Sequence, residues 1–388
     1  MDILVIGTGM YVTGRGTKTH GTILPAILEY QKKFKKINNI YFVGSNPKNV
    51  KESKKKVYEL FRLTGISIPC KFFPSNNLNT NAYKDVLNKI NKQTCAIISV
   101  PDKLHYKIAS DCLQKNLHTL VVKPLTPTVA ESKKLINLQH KKNLYGAVEF
   151  HKRWDKQNLI LRDKFRSKII GEPLYTWTEY SQRKTIPSKI FKSWVSKSNI
   201  IQYLGVHYID IVRFITGASP IRTMALGQKQ WLKKQNINVH DSVQCIIEWK
   251  LKNNQNFVQN LLLNWVDPET TTSMSDQKIF FVGTKGRIES NQKNRGLKIV
   301  SENSIEEPNP DFCHPYYNHQ NLLEYKGYGI KSITTFLDDV VNINEKTKTL
   351  KALNKIRPTF KESLVSTAVV EAATKSLKNN GIWKKIKY

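Results

Sequence analysis

Three residues that could do chemistry follow predicted strands or open a predicted helix. Lys123 directly follows the apolar run 119–122 and is held by Pro124. A lysine there places its ammonium at the carboxyl edge of a sheet, where ligands of α/β proteins bind, and it could stabilise charge that develops on an oxygen. Tyr203 and His207 are spaced i, i+4 at the start of a predicted helix, so both side chains face the same way. Tyrosine and histidine can donate or accept a proton.

The opening segment indicates a nucleotide site. Residues 3–6 are continuously apolar, which predicts a strand buried on both faces. The turn that follows is formed by Gly7, Thr8, Gly9 and Met10. Glycine permits a tight turn and lets the backbone approach a pyrophosphate. Val12 stands where a third glycine is usual, so we interpret residues 13–21 as an extra flap near the pyrophosphate, with Arg15 or Lys18 available to its charge.

The elements that must position these residues alternate along the first third of the chain. Apolar runs separated by amphipathic stretches predict a parallel sheet with right-handed crossovers. We expect strands at 3–6, 40–43, 96–100, 119–122 and 144–150, and helices at 22–35, 48–64 and 105–114. The sequence therefore predicts a doubly wound parallel sheet in a domain of residues 1–150.

After residue 150 strand and helix patterns no longer alternate. Residues 243–251, 256–265 and 278–282 form strand patterns without helices between them, which is typical of an antiparallel or mixed sheet. Helices are expected at 209–215 and at 360–379. We predict a second α/β domain, residues 151–388, with a large open sheet; helix 360–379 could pack back on the first domain.

Composition narrows the class of protein. The chain has 388 residues and a formal charge of +32, but its lysines are spread along the whole length without a nucleic-acid recognition motif. No apolar run is long enough for a spanning helix, and the N-terminus lacks a signal-peptide pattern. The five cysteines are scattered, which indicates neither a metal site nor a disulfide framework. We therefore expect a cytoplasmic protein with no membrane or specific nucleic-acid partner.

Four loose motifs fall in register along the chain. They are Pro101-Asp102 with His105, Val122-Lys123-Pro124, residues 149–155, and residues 202–210. Together they resemble the glucose–fructose oxidoreductase/inositol dehydrogenase/MocA family. The resemblance implies a Rossmann domain followed by an open-sheet domain that often mediates oligomerisation, so a homodimer or homotetramer is expected. It also implies hydride transfer between NAD(P) and a hydroxyl or keto carbon of a sugar, sugar nucleotide or cyclitol.

The resemblance also implies roles for the three reactive residues. Lys123 matches the lysine of the family's Glu-Lys-Pro element, although Val122 replaces the glutamate. Tyr203 stands where the family commonly has aspartate and where the glucose–fructose oxidoreductase branch has tyrosine. Our hypothesis is that Tyr203 moves the substrate proton while Lys123 and His207 orient the hydroxyl. The competing assignment gives proton transfer to His207.

Four further residues are weighed as contacts. Pro101 and His105 match cofactor-side positions of the family, and His105 could equally be structural. Arg153 could bind substrate or merely end a strand. Asp210 could bind substrate or cap the first helical turn.

Cofactor choice depends on the end of the second strand. Ser45 and Asn46 stand there, followed by Lys48 and Lys51, without the carboxylate that usually binds the ribose 2′-hydroxyl of NAD. Hydroxyl, amide and ammonium donors suit a 2′-phosphate, so NADP is favoured over NAD. Two alternatives within the same fold remain, an NAD-dependent glycoside hydrolase and a catalytically silent cofactor-binding regulator.

Overall fold

Continuous apolar runs and amphipathic helices build a six-stranded parallel sheet from the first part of the chain. The computed structural model describes residues 1–90, 94–192 and 194–388. The helices and strands up to the last strand of this sheet are β1 (Asp2–Ile6), α1 (Met10–Thr13), α2 (Ile23–Phe34), β2 (Asn39–Val43), α3 (Pro47–Thr64), β3 (Cys70–Phe73), α4 (Ala82–Leu87), β4 (Thr94–Ile98), α5 (His105–Gln114), β5 (His118–Val122), α6 (Val129–Lys141) and β6 (Gly146–Glu149).

The strand order confirms the predicted doubly wound fold. It is β3-β2-β1-β4-β5-β6, and every neighbouring pair is parallel. Every predicted strand and helix of this part is present with small shifts at the ends; residues 144–150, for example, shorten to β6. Because all strands point the same way, the loops after β1, β2, β4 and β5 lie at one edge of the sheet.

The rest of the chain forms a second, larger sheet and several helices. The elements are α7 (Lys156–Arg166), β7 (Pro173–Arg183), α8 (Val206–Thr216), β8 (Ser219–Gln228), α9 (Trp231–Lys234), β9 (Ser242–Lys250), β10 (Asn256–Asp267), β11 (Ser275–Gly283), β12 (Gly286–Asn291), β13 (Ile299–Val300), β14 (Ile305–Glu306), β15 (His314–Tyr317), β16 (Leu323–Lys326), α10 (Tyr328–Asn344), α11 (Leu350–Ile356), α12 (Phe360–Leu377) and β17 (Lys384–Lys385). Short 3-10 segments lie at Asp102–Leu104, His151–Trp154 and Val195–Lys197, and π-helical segments at Ile186–Ile190 and Ile201–Gly205.

The second sheet has seven strands in the order β12-β11-β7-β10-β9-β8-β17. Only the β7–β10 pair of this sheet is parallel in the described residues; the others are antiparallel. The predicted large, mostly antiparallel sheet is therefore confirmed. Helix α8 packs on it closely, since a Cβ at Gly205 would lie 3.1 Å from the side chain of Leu263.

The chain divides into two compact units. The first contains Met1–Thr126, Ala130–Trp154 and Asp311–Ser363. The second contains Pro127–Val129, Asp155–Pro310 and Leu364–Tyr388. The boundary predicted at residue 150 and the packing predicted for helix 360–379 stay predictions.

Helix α10 joins the core of the first unit. Its Ile333 and Phe336 belong to the same buried cluster as Ile27 of α2. Phe336 also stacks on Tyr145, with ring centroids 5.6 Å apart. No helix in the described ranges combines the length and apolar character needed to cross a bilayer.

Candidate functional site

Backbone hydrogen bonds hold three loops together at the carboxyl edge of the first sheet. The Gly7 amide donates to the Val43 carbonyl at 2.8 Å, and the Ser99 amide donates to the Ile6 carbonyl at 2.8 Å. These bonds continue the β1–β2 and β1–β4 pairing beyond the strands, so the turn after β1 has a fixed place between its neighbours.

Gly7 and Gly9 in this turn differ in why a glycine is suited to each position. Gly7 has φ +123°, and a Cβ there would lie 2.0 Å from the Ser99 carbonyl oxygen. Among the described residues nothing lies within 4 Å of a Cβ built at Gly9. Gly7 is therefore required by the fold, whereas Gly9 leaves space in which the backbone can approach a pyrophosphate. Met10 follows as the first residue of α1.

Thr8, between these glycines, is buried and anchors the neighbouring segments. Its carbonyl accepts hydrogen bonds from Ser53 Oγ at 2.9 Å and from Arg15 Nε at 2.8 Å. A Cβ at Gly44 would lie 2.9 Å from Thr8 Oγ1. The turn and the end of β2 are thus in close contact, with no room for a side chain at Gly44.

At the end of β2, the two predicted cofactor residues differ in how they are used. Ser45 is exposed at the loop surface. Asn46 caps α3, because its Oδ1 accepts from the Lys48 amide at 2.9 Å. Ser45 is thus the exposed donor of the pair, while Asn46 also has a structural role.

Lys123 lies at the end of β5 and is only 9% exposed. Burial lowers the pKa of its ammonium to about 8, against the opposing effect of the Asp102 and Glu149 carboxylates. The described environment therefore makes Lys123 much easier to deprotonate than a lysine in water. A group with a perturbed pKa at a sheet edge is a candidate functional group.

His105 connects the loops after β4 and β5. Its Nδ1 lies 2.7 Å from the Pro124 carbonyl oxygen and its Nε2 lies 2.9 Å from the Val100 carbonyl oxygen. The ring is 1% exposed. These contacts give His105 a positioning role for the Lys123–Pro124 segment and for the loop that contains Pro101.

Sequence analysis included Glu149 in the motif of residues 149–155 but assigned it no role. In the β5–β6 register Glu149 pairs with Val122, and side chains at paired positions point to the same face of a sheet. A carboxylate on β6 therefore lies beside the position where the family's Glu-Lys-Pro element would have one. The sequence does not fix the β5–β6 register to within one residue, and a shift of one residue would move the Glu149 side chain to the other face of the sheet.

Glu149 is 2% exposed and held on both oxygens. Ser332 Oγ donates to Oε1 at 2.6 Å, and Oε2 lies 3.0 Å from His151 Nδ1. Burial, followed by the charge of Glu149, raises the pKa of Tyr11 well above its usual value. The carboxylate thus belongs to a fixed polar cluster within the first unit.

In the second unit, Tyr203 lies among aromatic rings. It belongs to the π-helical segment Ile201–Gly205, which runs directly into α8. Its ring centroid lies 4.8 Å from that of Phe191, 5.7 Å from that of Trp194 and 6.0 Å from that of Trp265. π-Helical turns recur at functional sites, and here the turn places Tyr203 in a cluster with Phe191, Trp194 and Trp265.

His207 and Asp210 both lie on α8. His207 is its second residue and 5% exposed, with its ring centroid 6.0 Å from that of Tyr180. Burial raises the pKa of Tyr180 to about 12. Asp210 is also buried and lies one turn inside the helix, whose N-cap is Gly205, so Asp210 does not cap it.

Arg153 and Asp155 both have charged partners. Arg153 is 7% exposed, and its Nη2 lies 3.5 Å from Glu362 Oε1. Asp155 forms a fully buried ion pair with Arg295, with 2.8 Å between Oδ2 and Nη2. Asp155 Oδ2 also accepts from Gln292 Nε2 at 2.8 Å, and the side chain caps α7. The structure thus gives Asp155 a structural role that its sequence position did not distinguish.

Comparisons with known proteins agree with this architecture. A model described as "Oxidoreductase family, NAD-binding Rossmann fold" matches residues 1–150, and one described as "GFO/IDH/MocA C-terminal domain" matches residues 159–289.

Among curated proteins, the chain is 36% identical over 115 residues to an uncharacterized oxidoreductase of Schizosaccharomyces pombe (29% of this chain, 31% of the relative). It is 27% identical over 116 residues to a scyllo-inositol 2-dehydrogenase (NADP(+)) of Bacillus subtilis (29% of this chain, 32% of the relative). The matched segments therefore span about a third of each relative.

A likeness over the whole chain is seen with a solved structure. The scyllo-inositol dehydrogenase of Lactobacillus casei, solved with bound NAD(H) and scyllo-inositol, superposes with a TM-score of 0.70. The alignment covers 99% of this chain and 98% of that one at 14% identity. It shows that the two chains share their fold.

Proposed function

Since the chain belongs to the glucose–fructose oxidoreductase/inositol dehydrogenase/MocA family, we propose that it is an NADP-dependent oxidoreductase. Its substrate is a sugar, sugar nucleotide or cyclitol, oxidised or reduced at a hydroxyl or keto carbon. The observation that carries the proposal is Lys123, a buried ammonium with a pKa of about 8 at the carboxyl edge of the Rossmann sheet. Relatives named as inositol dehydrogenases support the cyclitol class. None of these names favours the hydrolase or the silent regulator.

The residues at the sheet edge fit a nicotinamide dinucleotide. Gly9 leaves room for a pyrophosphate against the backbone, and the N–H donors of the turn suit its charge. We assign cofactor contacts to this turn with Thr8 and Met10, to Ser45 and Asn46, and to Pro101, His105, Lys123 and Pro124. The bound nicotinamide would supply the acceptor or donor of the hydride.

The protein's own residues must align the substrate and move one proton. In our assignment Tyr203 donates or accepts the proton of the substrate hydroxyl, and Lys123 and His207 orient that hydroxyl by hydrogen bonds. A cation near a tyrosine favours its ionised form, which Lys123 would provide. Arg153 and Asp210 are kept as substrate contacts of lower weight. The competing assignment, with His207 as the proton-transfer group, predicts that Tyr203→Phe keeps its turnover.

NADP is preferred over NAD because the segment after β2 presents no carboxylate. Gly44, Ser45 and Asn46 occupy it, and Ser45 is exposed. A carboxylate at this place would repel a 2′-phosphate. The relative from Bacillus subtilis whose name specifies NADP(+) supports the same choice.

We further propose that residues 1–150 bind the cofactor and residues 151–388 bind the substrate. The proposed enzyme is a cytoplasmic homodimer or homotetramer without membrane or specific nucleic-acid partners. Exposed apolar side chains on the strands of the second sheet, such as Tyr175 and Leu226, support association of subunits.

The test is a fluorescence titration of the purified chain with NADPH and NADH, followed by a turnover screen of sugar nucleotides and cyclitols. We expect tighter binding of NADPH and turnover of at least one substrate class. Lys123→Met should lose turnover, while Lys107→Met, a change at an exposed lysine of α5, should match the wild type. A wild-type chain that binds neither dinucleotide would overturn the proposal.

A further inference from the structure

The loop between α1 and α2 has a defined conformation that is held by its own hydrogen bonds. Gly14 and Gly21 have φ +73° and +75°, and a Cβ at Gly14 would lie 1.9 Å from the Thr19 carbonyl oxygen. Thr17 donates to the Gly14 carbonyl through both its amide, at 2.9 Å, and its hydroxyl, at 2.8 Å. The loop therefore returns on itself and presents Arg15 from a fixed backbone.

The Arg15 side chain spans from the glycine turn to α3. Nε donates to the Thr8 carbonyl at 2.8 Å, and Nη1 donates to Asn49 Oδ1 at 3.2 Å. The Glu52 carboxylate lies 3.9 Å from Nη1. Within the described ranges Nη2 has no hydrogen-bond partner, and 28% of the side chain is exposed. Nε and Nη1 each donate one hydrogen bond to the protein, whereas Nη2 and the second hydrogen of Nη1 have no hydrogen-bond acceptor among the described residues.

These contacts place the Arg15 guanidinium beside the end of β2. Asn49 lies in the first turn of α3, which follows β2 directly, and Gly44 touches Thr8, the residue that binds Arg15 Nε. In a Rossmann fold the segment after β2 faces the 2′ position of the adenosine ribose. Arg15 therefore brings its positive charge to that place from outside the β2 segment.

We propose that Arg15 is the residue that selects NADP, by binding the 2′-phosphate of the cofactor through its Nη1–Nη2 edge. The inference rests on the proposed function and names the residue behind its cofactor preference. A planar guanidinium binds phosphate with two parallel N–H bonds, which is stronger and more specific than a lysine contact. Ser45, in the segment after β2, offers an exposed hydroxyl as a further donor. Glu52 works against the phosphate, because its carboxylate lies near the same Nη1.

The test compares Arg15→Gln with the wild type in fluorescence titrations with NADPH and NADH, and in calorimetric titrations with 2′,5′-ADP and 5′-AMP. Loss of charge-assisted bonds to phosphate should weaken NADPH and 2′,5′-ADP by about 10- to 100-fold. NADH and 5′-AMP should change less than about threefold. Arg62→Gln, the same substitution at an exposed arginine of α3, should leave all four affinities unchanged.

A second variant keeps Arg15 and its contact with the turn. Glu52→Gln removes the opposing carboxylate, so NADPH and 2′,5′-ADP should bind about two- to fivefold more tightly while NADH is unchanged. The inference is overturned if Arg15→Gln weakens NADPH and NADH equally, which would make Arg15 only a support of the turn, or if neither ligand responds. If the wild type binds NADPH and Arg15→Gln has the same ratio of NADPH to NADH affinity as the wild type, only this inference is overturned. A wild type that binds neither dinucleotide overturns the proposed function with it.

Discussion

The buried ammonium of Lys123 should make protein stability depend on pH in a way that one substitution removes. The pKa of Lys123 is lowered from 10.5 to about 8 by burial, with Asp102 and Glu149 acting in the opposite direction. Between about pH 8 and pH 10.5 the unfolded chain therefore binds a proton on this lysine and the folded chain does not. Stability must then rise with pH across this window, and the destabilisation is fully present below about pH 8.

The magnitude follows from the size of the pKa shift. Each unit corresponds to about 1.4 kcal/mol, so the complete effect is about 3 kcal/mol, of which about 2 kcal/mol is recovered between about pH 7.5 and pH 10. Lys123→Met has no titrating group at this position. The unfolding free energy of the wild type minus that of Lys123→Met should therefore increase by about 2 kcal/mol over the same interval.

Urea unfolding followed by fluorescence at both pH values measures this difference. Lys107→Met is the matched control, because Lys107 is exposed on α5, and its difference from the wild type should not change with pH. If the difference for Lys123→Met also stayed constant, the ammonium would be as well solvated in the folded chain as in water. The argument for a perturbed Lys123 would then be refuted.

Three more predictions address proton transfer, electrostatics and the second unit. Tyr203→Phe should reduce kcat by about 100-fold or more with cofactor affinity retained, as measured by steady-state kinetics and fluorescence titration; unchanged turnover would transfer the role to His207. Glu149→Gln should lower the pKa of Lys123 further, since Glu149 raises it, and shift the corresponding limb of the pH–rate profile to lower pH by up to about one unit; an unmoved limb would contradict the coupling. Arg295→Ala should leave the Asp155 carboxylate buried without its cation and destabilise the chain to urea by about 3–5 kcal/mol, whereas a loss below about 1 kcal/mol would show that the pair is solvated.

The sequence predicted those elements whose signal is local. β1, β4 and β5 were found because strands buried on both faces are continuously apolar, and α5 was found because its apolar residues recur with helical spacing. Helix α8 was found because Gly217 ends it. These features need no knowledge of distant partners.

What was missed depends on contacts between distant positions. Arg295 meets Asp155 across 140 positions, and neither residue has a spacing that indicates the other. Glu149 became a candidate only through its register with Val122. The joint action of Lys123 with Tyr203 stays a hypothesis based on the family resemblance, since the two residues belong to different units.

The discontinuity of the first unit has a consequence during synthesis. Helix α10 supplies part of its core, packed on α2, yet about 190 residues of chain separate the end of Ala130–Trp154 from the end of that helix. A ribosome adds about 5–20 residues per second. Helix α10 is therefore synthesised about 10–40 s after the strands of the first sheet. During that time the apolar side chains of α2 that α10 will cover are open to chaperones. The same arrangement means that recombination cannot transfer the first unit as one uninterrupted stretch of coding sequence.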